Sequence, residues 1–149
     1  FVAVGPEHDK QSGWPSRMRE SGVRYEGELE PADMESWFAS IDVLVVPTTT
    51  WPEGHPGVII ESFFAGVPVV ATDVGGIREL VDSETGQLVP PNEPLAIGCA
   101  IESVLSSSSE YSRLSSNCVA RSRSFSADEW IIALVDATLR QSDSNEESR

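Results

Sequence analysis

The chain has 149 residues, 40% of them apolar, with 24 Asp+Glu against 10 Lys+Arg and a formal net charge of −14. That length supports one domain whose core needs no disulfide or metal staples. The charge repels phosphate backbones and anionic headgroups, so nucleic acid and membrane surfaces are excluded as main partners and any anionic ligand must be held by local groups.

In chain order, short apolar runs at 1–5, 23–27, 43–47, 68–72 and 87–90 read as buried strands. Val43-Leu44-Val45-Val46 is apolar on both faces, as a parallel strand covered on each side would be. Between them, 32–41 places Met34, Trp37, Phe38 and Ile41 along one helical stripe, and 56–65 reads as a second helix with proline in its first turn. A short helix is expected at 77–81. Helices at 94–105, 110–123 and 127–139 follow, the middle one serine-rich and leaning on Leu114, Cys118 and Val119. Ser126 and Glu129 have the spacing of a capping box for the last helix. The class is α/β, with a domain over 1–140 and a polar, disordered tail over 141–149. No apolar run approaches the roughly 20 residues of a membrane span. Cys99 and Cys118 lack a CxxC or histidine companion and are expected to be reduced, buried thiols. Phe1-Val2-Ala3-Val4-Gly5 reads as the middle of a strand, so the true N-terminus is expected upstream.

Open parallel sheets bind ligands beyond the carboxyl ends of their strands. The richest such loop follows Pro47: Thr48-Thr49-Thr50-Trp51-Pro52-Glu53-Gly54-His55-Pro56-Gly57, leading into a helix that carries Glu61. A helix N-terminus favours a phosphate, and Gly54 and Gly57 let a ligand approach the main chain. Glu53 and Glu61 would border the same mouth, where carboxylates beside an anion site suit the hydroxyls of a sugar; the plainer reading makes both surface acids at a helix start. Gly75-Gly76 either offers further amides or forms a tight turn. For Glu79 a structural role is expected, for His55 a positioning or surface role without a partner nameable from the sequence, and for Trp51 packing. No cluster has metal-ligand spacing, and no Gly-x-Gly-x-x-Gly follows a strand, which disfavours a dinucleotide oxidoreductase.

Taken together, Trp37-Phe38-Ala39-Ser40-Ile41-Asp42-Val43-Leu44-Val45-Val46-Pro47, Glu53-Gly54-His55-Pro56-Gly57-Val58-Ile59-Ile60-Glu61 and Gly66-Val67-Pro68-Val69-Val70-Ala71-Thr72-Asp73-Val74-Gly75-Gly76-Ile77-Arg78-Glu79 resemble the donor half of family 4 glycosyltransferases. Thr85-Gly86-Gln87-Leu88-Val89-Pro90 is similar to the family's last short strand, and the likeness runs to about residue 139. The resemblance implies a Rossmann-like parallel sheet flanked by helices, the C-terminal half of a GT-B enzyme, and retaining transfer of a hexose-type sugar from a nucleoside-diphosphate sugar without a metal or other cofactor. It implies that Glu53, taken as the catalytic residue, contacts donor-sugar hydroxyls and that Glu61 holds the ribose. The amides around Gly54, His55, Gly57, Val58 and Ile59, with those of Gly75 and Gly76, would cradle the diphosphate. Glu26 and Leu29 would lie beside the base. An upstream strand and helix with a basic pair, and an N-terminal domain holding a sugar or lipid-linked acceptor, would be missing, which leaves this chain inactive alone. The enzyme would be cytoplasmic, touching a membrane only through that missing domain, with no nucleic acid partner. The rivals are a non-catalytic sugar-nucleotide or protein-binding module that kept the fold, and a nucleotide-sugar epimerase.

Overall fold

Every strand ladder among the described residues is parallel, as expected for strands that are apolar on both faces. A computed structural model describes residues 1–6, 13–49 and 54–126, which fall into two units, Phe1–Ser40 and Ile41–Arg149. Glu53, Trp51, the expected 127–139 helix with its Glu129 cap, and the 141–149 tail lie outside the described residues.

In the first unit β1 (Val2–Ala3) pairs with β2 (Arg24–Tyr25) in the register Val2↔Arg24 and Ala3↔Tyr25. Past the strands, the Gly5 amide donates to the Gly27 carbonyl at 2.8 Å and the Tyr25 hydroxyl to the Gly5 carbonyl at 2.7 Å. These bonds hold the two strand ends together. A helix that the sequence did not announce, α1 (Trp14–Glu20), lies between them. It buries no residue and so carries no apolar stripe, and its Pro15 stands in the first turn, where the missing N–H is harmless. The Arg17 guanidinium stacks 4.4 Å above the Trp14 ring. The helix expected at 32–41 is a 3-10 turn over Pro31–Asp33 followed by α2 (Met34–Phe38). It stops early because Ser40 turns both its amide, at 2.9 Å, and its hydroxyl, at 2.7 Å, onto the Trp37 carbonyl.

The second unit is built on a three-stranded sheet, β3 (Leu44–Val46), β4 (Val69–Thr72) and β5 (Gly86–Val89), in the order β3-β4-β5. All four residues of the central strand β4 are buried. Four helices accompany the sheet: α3 (Gly57–Phe64), α4 (Ile77–Leu80), α5 (Pro94–Val104) and α6 (Ser108–Ser122). Val70, Val89, Ala100, Val104 and Leu114 form one core cluster, while Ile59, Phe63 and Ile77 are fully buried. Burying each large apolar side chain contributes about 1.5–3 kcal/mol. Ser62 is tolerated among them because its hydroxyl donates to the Ile59 carbonyl at 2.7 Å, satisfying it within the helix. The chain leaves α3 through Gly66 in the left-handed region at φ 69, the conformation that ends helices most cheaply with glycine.

Helix α6 begins at Ser108 because Ser107 caps it, accepting from the Glu110 amide at 3.2 Å. Its buried positions are Leu114, Cys118 and Ser122, four residues apart, so Val119 lies one step round the helix and is 43% exposed rather than packed. The expectation of two buried thiols is corrected in the same way: both cysteines are free, Cys118 is buried, and Cys99, beside the buried Ala100 on α5, is exposed. Desolvation, with a smaller contribution from the Asp82 charge, pushes the Cys118 thiol up to about 12, so it stays protonated at neutral pH. A thiol reagent is therefore expected to modify Cys99 alone in the native protein and both cysteines after denaturation. Two fast equivalents in the native protein would contradict the burial of Cys118.

Among the described residues, no helix is long and apolar enough to cross a membrane.

Candidate functional site

The loop that ends at helix α3 and the turn that follows β4 are brought against each other. Residues 54–56 run into α3 with Pro56 at the N-cap, in extended conformation at φ −62 and ψ 119, and no side chain caps the helix. Its first turn therefore leaves backbone N–H groups without side-chain acceptors, the arrangement that suits an anion. The Ile59 amide already donates to the Pro56 carbonyl at 3.1 Å, so of the amides assigned to a phosphate those of Gly57 and Val58 stand ahead of it, at the start of the turn.

The second wall is the turn at 73–76. Its base is fixed by the Thr72 hydroxyl, which reaches the carbonyls of Thr48 and Val46 at the end of β3. The Asp73 amide donates to the Val89 carbonyl at 2.8 Å, and the Arg78 guanidinium meets the Asp73 carboxylate at 3.1 Å. Gly75 has φ 56, a left-handed conformation that other residues adopt only at a cost, and it turns the chain into α4. Gly76 has an ordinary φ of −75, yet a Cβ there would come 2.7 Å from His55 Cδ2 and 2.8 Å from the Gly54 carbonyl oxygen. Glycine is needed at 76 for space, whereas at 75 it is needed for conformation. The Gly75-Gly76 pair is thus more than a tight turn, because the His55 loop lies directly on it.

Among the described residues, one polar contact joins the two walls. His55 Nε2 lies 2.9 Å from Glu79 Oε2. An ionised carboxylate only accepts, so Nε2 carries the hydrogen and donates it. The sequence offered no partner for His55 because the two residues are 24 positions apart; Glu79, for which a structural role is expected, is that partner. From behind, the Arg121 guanidinium on α6 donates to the Glu79 carbonyl at 3.0 Å.

Glu61 lies on the exposed face of α3, opposite the buried Ile59, Ser62 and Phe63, and its carboxylate takes no partner among the described residues. Its companion Glu53 lies outside those residues. Glu26 and Leu29 belong to the first unit, where Glu26 accepts from Arg24 Nε at 2.7 Å. Among the described residues no three His, Cys, Asp or Glu side chains are grouped to hold a metal ion.

A glycine-walled helix start beyond a parallel sheet fits many phosphate ligands, and comparison with known proteins narrows the family. The profile of the family described as Glycosyl transferases group 1 matches residues 1–107. The chain belongs to this family. Its sequence is 33% identical over 137 residues to a D-inositol 3-phosphate glycosyltransferase of Xylanimonas cellulosilytica, a match spanning 84% of this chain and 32% of that relative. Among solved structures, this group 1 chain superimposes on the sucrose-phosphate synthase of Thermosynechococcus elongatus with a TM-score of 0.75 at 26% identity, covering 97% of this chain and 38% of that one. Anabaena HepE in complex with UDP-glucose gives a TM-score of 0.77 at 25% identity, covering 94% and 40%. These neighbours are GT-B glycosyltransferases, and the fold is accordingly Rossmann-like α/β. The chain spans about a third of the length of the first relative and about two fifths of the two solved chains.

Proposed function

We propose that residues 1–140 are the donor-binding domain of a retaining, metal-independent family 4 glycosyltransferase, which moves a hexose-type sugar from a nucleoside-diphosphate sugar to a sugar or lipid-linked acceptor. The observation that carries this reading is the seating of Gly54-His55 on Gly76, which sets an uncapped helix start beside a second glycine turn at the carboxyl end of the sheet. A structural neighbour in complex with UDP-glucose supports a nucleotide-sugar ligand for such a site. In a chain of net charge −14 the diphosphate is met by amides of Gly57, Val58, Gly75 and Gly76 and by the helix dipole rather than by a field of basic residues. Glu61 accepts from ribose hydroxyls and Glu53 from hydroxyls of the donor sugar. Charge developing on the leaving diphosphate is met by the same preorganised amides, so no protein nucleophile is required. The acceptor, and the basic pair that completes the phosphate site, are assigned to a further part of the enzyme, in keeping with a relative of which this chain covers 32%; the protein works in the cytoplasm, meeting a membrane only through that part.

Calorimetry on the full-length enzyme with UDP and UDP-glucose tests the two acids separately. Glu61→Ala is expected to weaken both ligands by similar factors, and Glu53→Gln to weaken only the sugar nucleotide. Loss of one charge-assisted hydrogen bond costs about 1.5–3 kcal/mol, or roughly tenfold to a hundredfold in affinity. If both variants bind both ligands as the wild type does, the carboxylates are surface acids and the assignment falls. If the wild type binds the sugar nucleotide but transfers nothing to any acceptor, the non-catalytic binding module is the better reading.

A further inference from the structure

We propose that Glu79 is a positioning residue for the donor-phosphate loop, acting through His55 and braced from behind by Arg121. The inference rests on the donor-site reading above and adds to it a residue that makes no ligand contact itself.

Three observations converge on it. His55 immediately precedes the N-cap of α3, so the orientation of its backbone sets how the Gly57 and Val58 amides are presented. The only hydrogen-bond partner of its ring among the described residues is the Glu79 carboxylate, at 2.9 Å. The contact pulls the loop down onto Gly76, where a Cβ would find 2.7 Å to the ring and 2.8 Å to the Gly54 carbonyl oxygen, so glycine at 76 and carboxylate at 79 serve one closed arrangement. Glu79 can hold the ring only if its own short helix is fixed. α4 has only four residues, and the Arg121 guanidinium donates to the Glu79 carbonyl near its end, tying it to the 15-residue α6. The sequence of forces is α6 to α4, α4 to the imidazole, and imidazole to the first turn of α3. The half-exposed pair contributes little to global stability, because solvent screens it; its consequence is local, in the placement of amides that must converge on one phosphate.

A double-mutant cycle tests this on the complete protein, with Glu79→Ala, Glu79→Gln, His55→Ala and the Glu79→Ala/His55→Ala pair. The backbone amide chemical shifts of Gly57 and Val58 are measured without ligand, and UDP affinity by calorimetry. Glu79→Ala is expected to shift both amide resonances and to weaken UDP by about threefold to fivefold, the scale of one screened pair. Glu79→Gln still accepts from the imidazole and should restore most of both values, while the unfolding midpoint stays within error in every variant. In the His55→Ala background the Glu79→Ala change should have no further effect. Additive effects, a glutamine no better than alanine, or changes confined to the unfolding midpoint would overturn the proposal. Failure of the wild type to bind UDP would count against the donor reading itself, and the chemical-shift cycle would still decide whether Glu79 positions the loop.

Discussion

Gly86→Ala is expected to destabilise the protein by about 3 kcal/mol, the upper range for forcing extra volume into a packed site. Gly86 opens β5 directly opposite Val69 of the buried central strand. A Cβ at 86 would fall 1.8 Å from the Val69 carbonyl oxygen and 2.8 Å from its carbonyl carbon, both of them backbone atoms that cannot rotate away. The Val69 amide donates to the Thr85 carbonyl at 3.1 Å in the same register, so the strand cannot retreat without giving up its pairing. For a chain of this size such a loss lowers the unfolding midpoint by roughly 6–12 °C. Gly98→Ala, inside α5 where a Cβ would meet nothing within 4 Å, is the control and should raise stability by about 0.5–1 kcal/mol. Equal midpoints for wild type and Gly86→Ala would mean that β5 does not pair with β4 in this register.

What the sequence disclosed, and what it withheld, follows from the range of the interactions involved. The β4 run Val69–Thr72 and the buried face of α3 are local patterns, apolar residues at one period over a few positions, and such patterns predict both elements to within two residues. Helix α1 has no buried residue, and Gly13, Trp14 and Pro15 at its start resemble a loop, so nothing periodic marks it. Ser107 and Glu110 do form a capping pair, but in a run of serines every position looks like a cap and only the structure selects one. Val119 lies a single step around a polar helix with few apolar anchors, which one sequence cannot phase, and Cys99 lies on a helix that is apolar on most sides, where the pattern does not show which small residue faces inward. At the candidate site the glycines and the helix start were legible as chemistry. The His55–Glu79 contact and the lack of space at Gly76 were not, because each joins loops about 20 residues apart that meet only when the sheet is assembled.

The same lack of space makes Gly76→Ala the sharpest test of the site. Alanine accommodates the backbone at φ −75 and ψ −5 without strain, so its effect on stability comes from the space it takes and is expected to be a loss of about 1–3 kcal/mol. The new methyl group must still be placed 2.8 Å from the Gly54 carbonyl oxygen and 2.7 Å from His55 Cδ2, where ordinary contact begins at 3.4 Å. The imidazole can swing aside, at the expense of its bond to Glu79. The Gly54 carbonyl can only move with its peptide plane, by more than half an ångström, and that plane leads through Pro56 into the amides of Gly57 and Val58. Displacements approaching an ångström in a preorganised site are costly by about a hundredfold. Gly76→Ala is accordingly expected to keep its circular dichroism and remain folded, with a lower unfolding midpoint, while losing about a hundredfold in UDP affinity, a larger loss than Glu79→Ala causes, because the glycine change moves backbone where the carboxylate change releases only a side chain. A Gly76→Ala protein that binds UDP like the wild type would show that the nucleotide does not sit on the 54–58 loop, and with it the assignment of Gly57 and Val58 to the diphosphate would fail.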